Sequence, residues 1–210
     1  MDMSDRGRQP ANEFWSEIYA QLSEFFKEPT ADFAEDVASG RLAKFFEGRC
    51  RSLALDPSSC NGLAPDGDVA AKIGSEYRRL FRGPLPPYIV PVESAYKKWT
   101  SDPNCHLPLA QEKGLLMGDS AVDMLRRYRD EGIEVPDDFL SMPDHVALEL
   151  EYLSLLSLRG DEDASRDFLV RHMDWLDDLV REIETAGEGE FYSCGARIAR
   201  DIVNRARQTT

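Results

Sequence analysis

The stretch EYRRLFRGPLPPYIVPVESAYKKW, residues 76–99, decides the fold. It opens as the end of an amphipathic helix in which Val69, Ile73, Tyr77, Leu80 and Phe81 recur every three or four residues, the spacing that places side chains on one helical face. Gly83-Pro84 stops that helix, because proline has no backbone N–H and its ring collides with the preceding turn. Each later proline pushes the residue before it into extended geometry. Ile89-Val90 is nevertheless too short and too closely flanked by prolines to build into a sheet. A short helix is expected to restart over about Pro91–Trp99. The segment with most extended character therefore fails as a strand, and the stiff connection carrying Tyr88 is a candidate recognition surface.

Outward from this stretch, helical periodicity dominates. Phe14, Ile18, Leu22 and Phe25 define a helix over 11–27; Phe33 and Val37 mark a second that stops at Gly40; Leu42, Phe45 and Phe46 mark a third over 41–55. Residues 56–68, rich in Pro, Ser, Asn, Gly and Asp, read as a loop. Residues 109–131 read as a helix with Leu115, Val122, Leu125 and Tyr128 on its apolar face, interrupted at Gly118-Asp119-Ser120, where Asp119 or Ser120 is the expected N-cap. Three further helices follow: one lined by Val146, Leu150, Leu153 and Leu156, one by Leu169, His172, Leu176, Leu179 and Ile183, and a last by Phe191, Cys194, Ile198 and Ile202. The prediction is an all-α bundle of about eight or nine helices. It comprises a flexible N-terminus over 1–10, an N-terminal subdomain over 11–135 that includes the 83–114 connection, a hinge at 136–145 and a C-terminal subdomain over 146–207.

Composition narrows the function classes. The 210 residues carry a formal net charge of −14, which excludes a concentrated basic surface for nucleic acid. The acidity suits a basic partner, or serves solubility alone. No apolar run approaches the roughly 20 residues that cross a bilayer, and the polar start MDMSDRGRQP lacks the apolar core of a secretory signal, so a cytoplasmic protein without membrane insertion is expected. Cys50, Cys60, Cys105 and Cys194 fall in no metal-binding spacing. Reduced thiols and no bound metal are expected.

No nucleophile elbow, zinc-protease motif, phosphate loop or dinucleotide fingerprint is present. His172 occupies an apolar-stripe position and reads as structural. His145 differs: Pro143-Asp144 accounts for a well-built helix start, but a protonated histidine is disfavoured at the positive end of a helix. Glu149, four residues on, shares its face. A small hydrolase or metalloenzyme built on His145 and Glu149 is therefore one reading, and a helical adaptor or regulator without peptide cargo another. Tyr77 and Phe81 read as core, whereas Tyr88 lies between prolines where periodicity places nothing. Tyr96 and Trp99 supply further aromatic area with hydrogen-bonding capacity, and Glu93 adds a carboxylate.

Four short motifs now stand in order: Glu-Tyr-x-x-Leu-Phe-x-Gly-Pro at 76–84, Pro-x-Glu-Ser-x-Tyr at 91–96, Leu-Met-Gly-Asp-Ser at 116–120 and Pro-Asp-His-x-x-x-Glu-Leu-Glu at 143–151. With the ending Phe168, His172, Trp175, Phe191, Tyr192, this order resembles the TorD/DmsD/NarJ family of redox-enzyme maturation chaperones over residues 12–203. The resemblance implies an all-helical cytoplasmic chaperone, not an enzyme. It would bind the twin-arginine signal peptide of a molybdopterin oxidoreductase and hold the apoenzyme until its cofactor is inserted. No cofactor of its own is implied beyond transient contact with the client's molybdopterin or weak nucleotide binding. The implied peptide surface comprises Tyr77, Leu80, Phe81, Gly83, Pro84, Tyr88, Glu93, Ser94, Tyr96, Trp99, Gly118, Asp119, Pro143, Asp144, His145 and Glu149. Met142, Tyr88 and Val92 depart from the family's usual residues. Two guanidiniums followed by an apolar segment call for carboxylates beside an aromatic groove, with Glu93, Asp119, Asp144 and Glu149 meeting the arginines and Tyr88, Tyr96 and Leu80 the apolar part. A hinge at 136–145 allows either a monomer or a domain-swapped homodimer.

Overall fold

The computed structural model describes residues 5–83, 88–187 and 189–209. Among them the chain forms ten α-helices, one of a single turn, and four 3-10 turns, with no strand beyond one isolated bridge. The helices are α1 (Asp5–Ser23), α2 (Ala31–Ala38), α3 (Arg41–Ser52), α4 (Val69–Phe81), α5 (Glu93–Tyr96), α6 (Asp119–Glu131), α7 (Val146–Arg159), α8 (Glu162–His172), α9 (Leu176–Ala186) and α10 (Glu190–Thr209). The start of α1 precedes the first apolar repeat at Phe14, which is why periodicity placed it later. The expected helix over 109–131 resolves into a 3-10 turn, Pro108–Gln111, and α6. The N-cap of α6 is Gly118 rather than Asp119 or Ser120. The inner face of α6 consists of Ala121, Met124 and Tyr128, whereas Val122 is 60% exposed.

At the centre lies α7. It buries Val146, Leu148, Leu150, Tyr152, Leu153 and Leu156, with Glu149 among them, and a helix apolar nearly all round belongs inside a bundle. Along it runs α1, presenting Ile18, Tyr19 and Leu22, with Ser16 Oγ and Ser154 Oγ 2.9 Å apart across the contact. Helix α8 covers another face of α7, while α10 packs against α9, α4 and the 3-10 turn Pro57–Leu63. One hydrophobic core runs through the described residues from Ile18 to Ala206. Packing therefore crosses the segment 136–145.

The aromatic centre of this core explains a glycine. Phe25 sits 5.5 Å from Phe191 and 5.6 Å from Phe46 between ring centroids. Its ring lies so close to α10 that a Cβ on Gly195 would fall 2.5 Å from Phe25 Cδ1. Alanine at a mid-helix glycine normally gains about 1 kcal/mol. Here the clash with an immobile buried ring outweighs that gain, and Gly195→Ala is expected to lower stability by about 1–2 kcal/mol, read as an earlier midpoint in urea unfolding.

Candidate functional site

Two of the sequence motifs meet in space. Val92 and His145 form an antiparallel bridge, in which Glu93 N donates to Asp144 O at 3.0 Å and Val146 N to Pro91 O at 2.9 Å. The single-turn α5 receives no side-chain cap from its own N-cap residue, Val92. Asp144 supplies one from across the bridge, its Oδ2 accepting from Ser94 N at 2.7 Å, which satisfies a backbone donor the short helix leaves open. Burial pushes the Asp144 carboxyl upward, against the bonds from Ser94. Tyr128 of α6 donates its hydroxyl to Pro143 O at 3.2 Å.

His145 caps α7. Its Nδ1 accepts from Ala147 N at 3.2 Å, which requires a neutral ring with a lone pair on Nδ1. Burial, with a smaller contribution from the Lys27 charge, lowers its pKa to about 3. A neutral acceptor suits the positive helix end, so the helix start does account for His145, contrary to the sequence reading. Its ring also stands edge-on to Phe139, 4.9 Å between centroids.

Beside the bridge lies a buried ionic cluster. Glu93 is 1% exposed, Glu149 fully buried and His172 4% exposed; each offers a polar atom within 4.8 Å of the others. Glu149 therefore faces Glu93 and His172, and the expected His145–Glu149 pair gives way to this trio. His172 Nδ1 lies 2.8 Å from Glu93 Oε2 and Nε2 lies 2.9 Å from Asp123 Oδ2. The His172 ring thus bridges Glu93 of α5 and Asp123 of α6. Lys97 Nζ stands 2.6 Å from Glu93 Oε1 and 2.5 Å from Asp174, and also donates to Arg171 O at 2.6 Å. Burial alone would raise Glu93, but the hydrogen bond with His172, the adjacent Glu149 carboxyl and the charges of His172 and Lys97 outweigh it and hold its carboxyl below the ordinary value. Burial, followed by the neighbouring Glu93 charge, drives Glu149 the other way, well above the ordinary value. Two carboxylates side by side in a dry interior cannot both ionise cheaply, so Glu149 holds the proton and Glu93 the charge. Glu93, Glu149 and His172 are the donor set a divalent ion would use, but here the His172 nitrogens already bond Glu93 and Asp123, and Lys97 lies against Glu93.

The remaining candidates divide by burial. Tyr77, Leu80 and Phe81 are core: Tyr77 lies 5.9 Å and Phe81 5.6 Å from the Tyr192 ring, and Leu80 is fully buried. Tyr96 stacks on Trp175 at 5.0 Å and 25°, and its hydroxyl donates to Glu182. Tyr88 is 54% exposed. It rests on Gly83, where φ is +37° and a Cβ would come within 2.7 Å of its ring. Gly118 packs against Trp99, with space for a Cβ only 2.6 Å from Trp99 O. Asp119 is exposed and accepts from Ser101 N at 2.7 Å and Ser101 Oγ at 3.0 Å. Pro84 lies outside the described residues. In this conformation Glu93, Asp144, Glu149 and Leu80 are closed to any peptide, so the arginine contacts expected of the three acids and the apolar contact expected of Leu80 are not available without opening the frame.

Comparison with known proteins settles the lineage. The family model described as nitrate reductase delta subunit matches residues 33–181. The chain belongs to this family. The chain is 24% identical to the chaperone protein TorD of Colwellia psychrerythraea, covering 83% of this chain and 82% of the relative. It is likewise 24% identical to TorD of Vibrio cholerae over 92% and 90%. In fold it is similar to a crystal structure of a candidate redox enzyme maturation protein from Archaeoglobus fulgidus, with a TM-score of 0.56, 21% identity and coverage of 90% and 93%. In this chain the motifs at 91–96 and 143–151 are the two halves of one bridge.

Sequence reasoning missed His172, Asp123 and Lys97 as members of the cluster. His172 lies 79 residues from Glu93, and no local spacing links them; the only signal was its place in the family-like ending. It also missed an apolar strip. Of the nine exposed large hydrophobic side chains among the described residues, five (Leu107, Leu109, Leu116, Met117 and Val122) fall within residues 107–122. That segment folds back on 95–100 through Gly114 N to Ala95 O at 2.8 Å, Trp99 N to Glu112 O at 2.9 Å and Thr100 N to Ala110 O at 3.0 Å.

The proton on Glu149 has a measurable sign. Because the folded state holds this proton more tightly than the unfolded chain, the folded state binds more protons at pH values above the ordinary glutamate value near 4.5. Stability is therefore lost as pH rises from there through the raised value of Glu149. Glu149→Gln keeps the neutral shape and removes the titration. Thermal unfolding across pH 5–8 should show the variant gaining on the parent as pH rises; a constant difference would place the proton elsewhere.

Proposed function

We propose that this protein is a cytoplasmic maturation chaperone for a molybdopterin oxidoreductase, binding the twin-arginine signal peptide of the apoenzyme through the apolar strip at 107–122 and Tyr88. It acts as a binding protein and performs no catalysis. The observation that carries the reading is the concentration of exposed Leu107, Leu109, Leu116, Met117 and Val122 on one refolded segment, next to Trp99 and the exposed carboxylates of Glu112 and Asp119. Exposed apolar side chains gathered in one segment mark interaction surfaces, and Met117 holds a φ of +60° that few non-glycine residues adopt. Family membership supports the same reading, since the relatives from Colwellia and Vibrio are named chaperones. No described helix is long and apolar enough to cross a membrane.

In this proposal the work is divided. The buried bridge and ionic cluster hold the frame, while the apolar strip meets the hydrophobic part of the signal peptide. The paired arginines meet exposed carboxylates, of which Asp119 and Glu112 are nearest in sequence to the strip. The net charge of −14 favours encounter with a basic peptide and predicts a salt-sensitive association rate. The 136–145 segment is proposed as the connection that leaves a domain-swapped dimer open beside the monomer.

Calorimetric titration with a twin-arginine signal peptide tests this directly. A twin-lysine version should bind about tenfold or more weakly, because lysine lacks the planar fork that meets a carboxylate through two bonds. The double variant Leu109→Ser, Leu116→Ser should weaken binding by about tenfold or more while unfolding midpoints stay where they are. Equal binding of both peptides defeats the arginine contact, and full affinity in the double variant defeats the strip.

A further inference from the structure

Cys50 and Cys60 bring their sulfurs together in the interior. They stand 3.9 Å apart, both buried, Cys50 in the last turns of α3 and Cys60 within the 3-10 turn Pro57–Leu63. The short return between them is built for that approach. Leu55 N donates to Cys50 O at 2.9 Å and Ala54 N to Arg51 O at 3.3 Å, the six-to-one closure that ends a helix with one left-handed residue. That residue is Ala54, at φ +54°, where alanine is strained. The third buried thiol is differently occupied: Cys194 Sγ donates to Ser59 O at 2.9 Å. Gly62 is pressed against Cys194, leaving 2.8 Å for a Cβ.

We propose that Cys50 and Cys60 form a reversible intramolecular disulfide on exposure to a peroxide, a modification site independent of peptide binding. The chemistry balances as two steps. The Cys50 thiolate attacks hydrogen peroxide, forming an S–O bond, breaking O–O and releasing hydroxide. The Cys60 sulfur, losing its proton, then attacks the Cys50 sulfenic acid, forming S–S and releasing water, so that two thiols are oxidised as one peroxide is reduced. The order of roles follows from the contact: the hydrogen bond with Cys60 lowers Cys50, while the same contact and burial raise Cys60. A bond of about 2.05 Å requires the sulfurs to close by roughly 1.9 Å, a movement of one short turn tethered by residues 53–56. Disulfides are rare in reducing compartments except as redox-responsive ones, which is the kind assigned here. The bond would tie the end of α3 to the turn that supports α10, the helix whose Tyr192 packs on Tyr77 and Phe81.

The test uses the full chain, treated with hydrogen peroxide, then denatured, alkylated and digested without reductant for mass spectrometry. The expected product is a cross-linked peptide joining Cys50 to Cys60, with Cys105 and Cys194 still alkylated and the link removed by dithiothreitol. In Cys60→Ser, whose hydroxyl keeps a donor beside the remaining sulfur, dimedone should label Cys50; in Cys50→Ser, the cross-linked peptide should be absent. Continued alkylation of both Cys50 and Cys60 while exposed thiols oxidise overturns the proposal, as does a link from either to Cys194 or Cys105. Should either serine variant fail to fold by circular dichroism, the parent peptide map decides alone.

Discussion

The carboxylate of Glu93 organises much of this molecule, because a charge 1% exposed cannot stand in a protein interior without compensation. Its compensators come from well-separated parts of the chain. Lys97 follows it on the same turn, His172 ends α8, Glu149 lies in the first turn of α7, and Asp123 on α6 holds the far side of His172. Each contact fixes one helix relative to another. The proximity of these groups is less a source of net stability than a specification of which arrangement is allowed, since buried ion pairs recover little beyond their desolvation while breaking one is costly. The bridge between Val92 and His145 works with the cluster, bringing Glu93 to α7 through backbone bonds that side-chain chemistry then locks.

The fold was legible because period and punctuation agreed. Gly40, Gly132 and Gly160 take left-handed φ values of +71°, +69° and +71°, and each closes or opens a helix where the apolar repeat breaks. Legibility failed where tertiary bonds replaced local ones. Residues 109–118 carry Leu109, Leu115 and Leu116 at helical spacing, yet their backbone bonds go to Ala95, Trp99 and Thr100. That diversion leaves the apolar side chains outside. Val122 misled for a related reason: Ala121 and Met124 set the inward face of α6, and small or flexible residues give a weaker signal than valine or leucine.

The candidate site was legible in part and for identifiable reasons. Glu93, Ser94, Asp144, His145 and Glu149 sit in short local motifs, and the structure brings those motifs to one place. What the motifs could not convey was depth. A carboxylate in a sequence looks the same whether it will meet solvent or Lys97, and the expectation that these acids face a peptide followed from treating them as surface groups. His145 shows the converse: read as charged, it seemed out of place at a helix start, and once burial makes it neutral it becomes the cap.

Depth also bears on how such a frame can serve recognition. A peptide with two arginines and an apolar segment varies in sequence along its apolar part, so the surface that meets it gains from side chains that can shift, such as leucine and methionine. The same surface must stay in register with whatever fixes the arginines. In the proposed reading residues 107–119 meet both demands: Leu107, Leu109, Leu116 and Met117 are exposed, while the backbone is bonded at Ala95, Trp99 and Thr100. Gly118 packs directly on Trp99. Through α5 that backbone reaches Glu93 and Ser94, and through them Asp144 and the start of α7. The proposed recognition strip is thereby tied through backbone bonds to the buried bridge, and Glu93, Asp144 and Glu149 stand one step behind it.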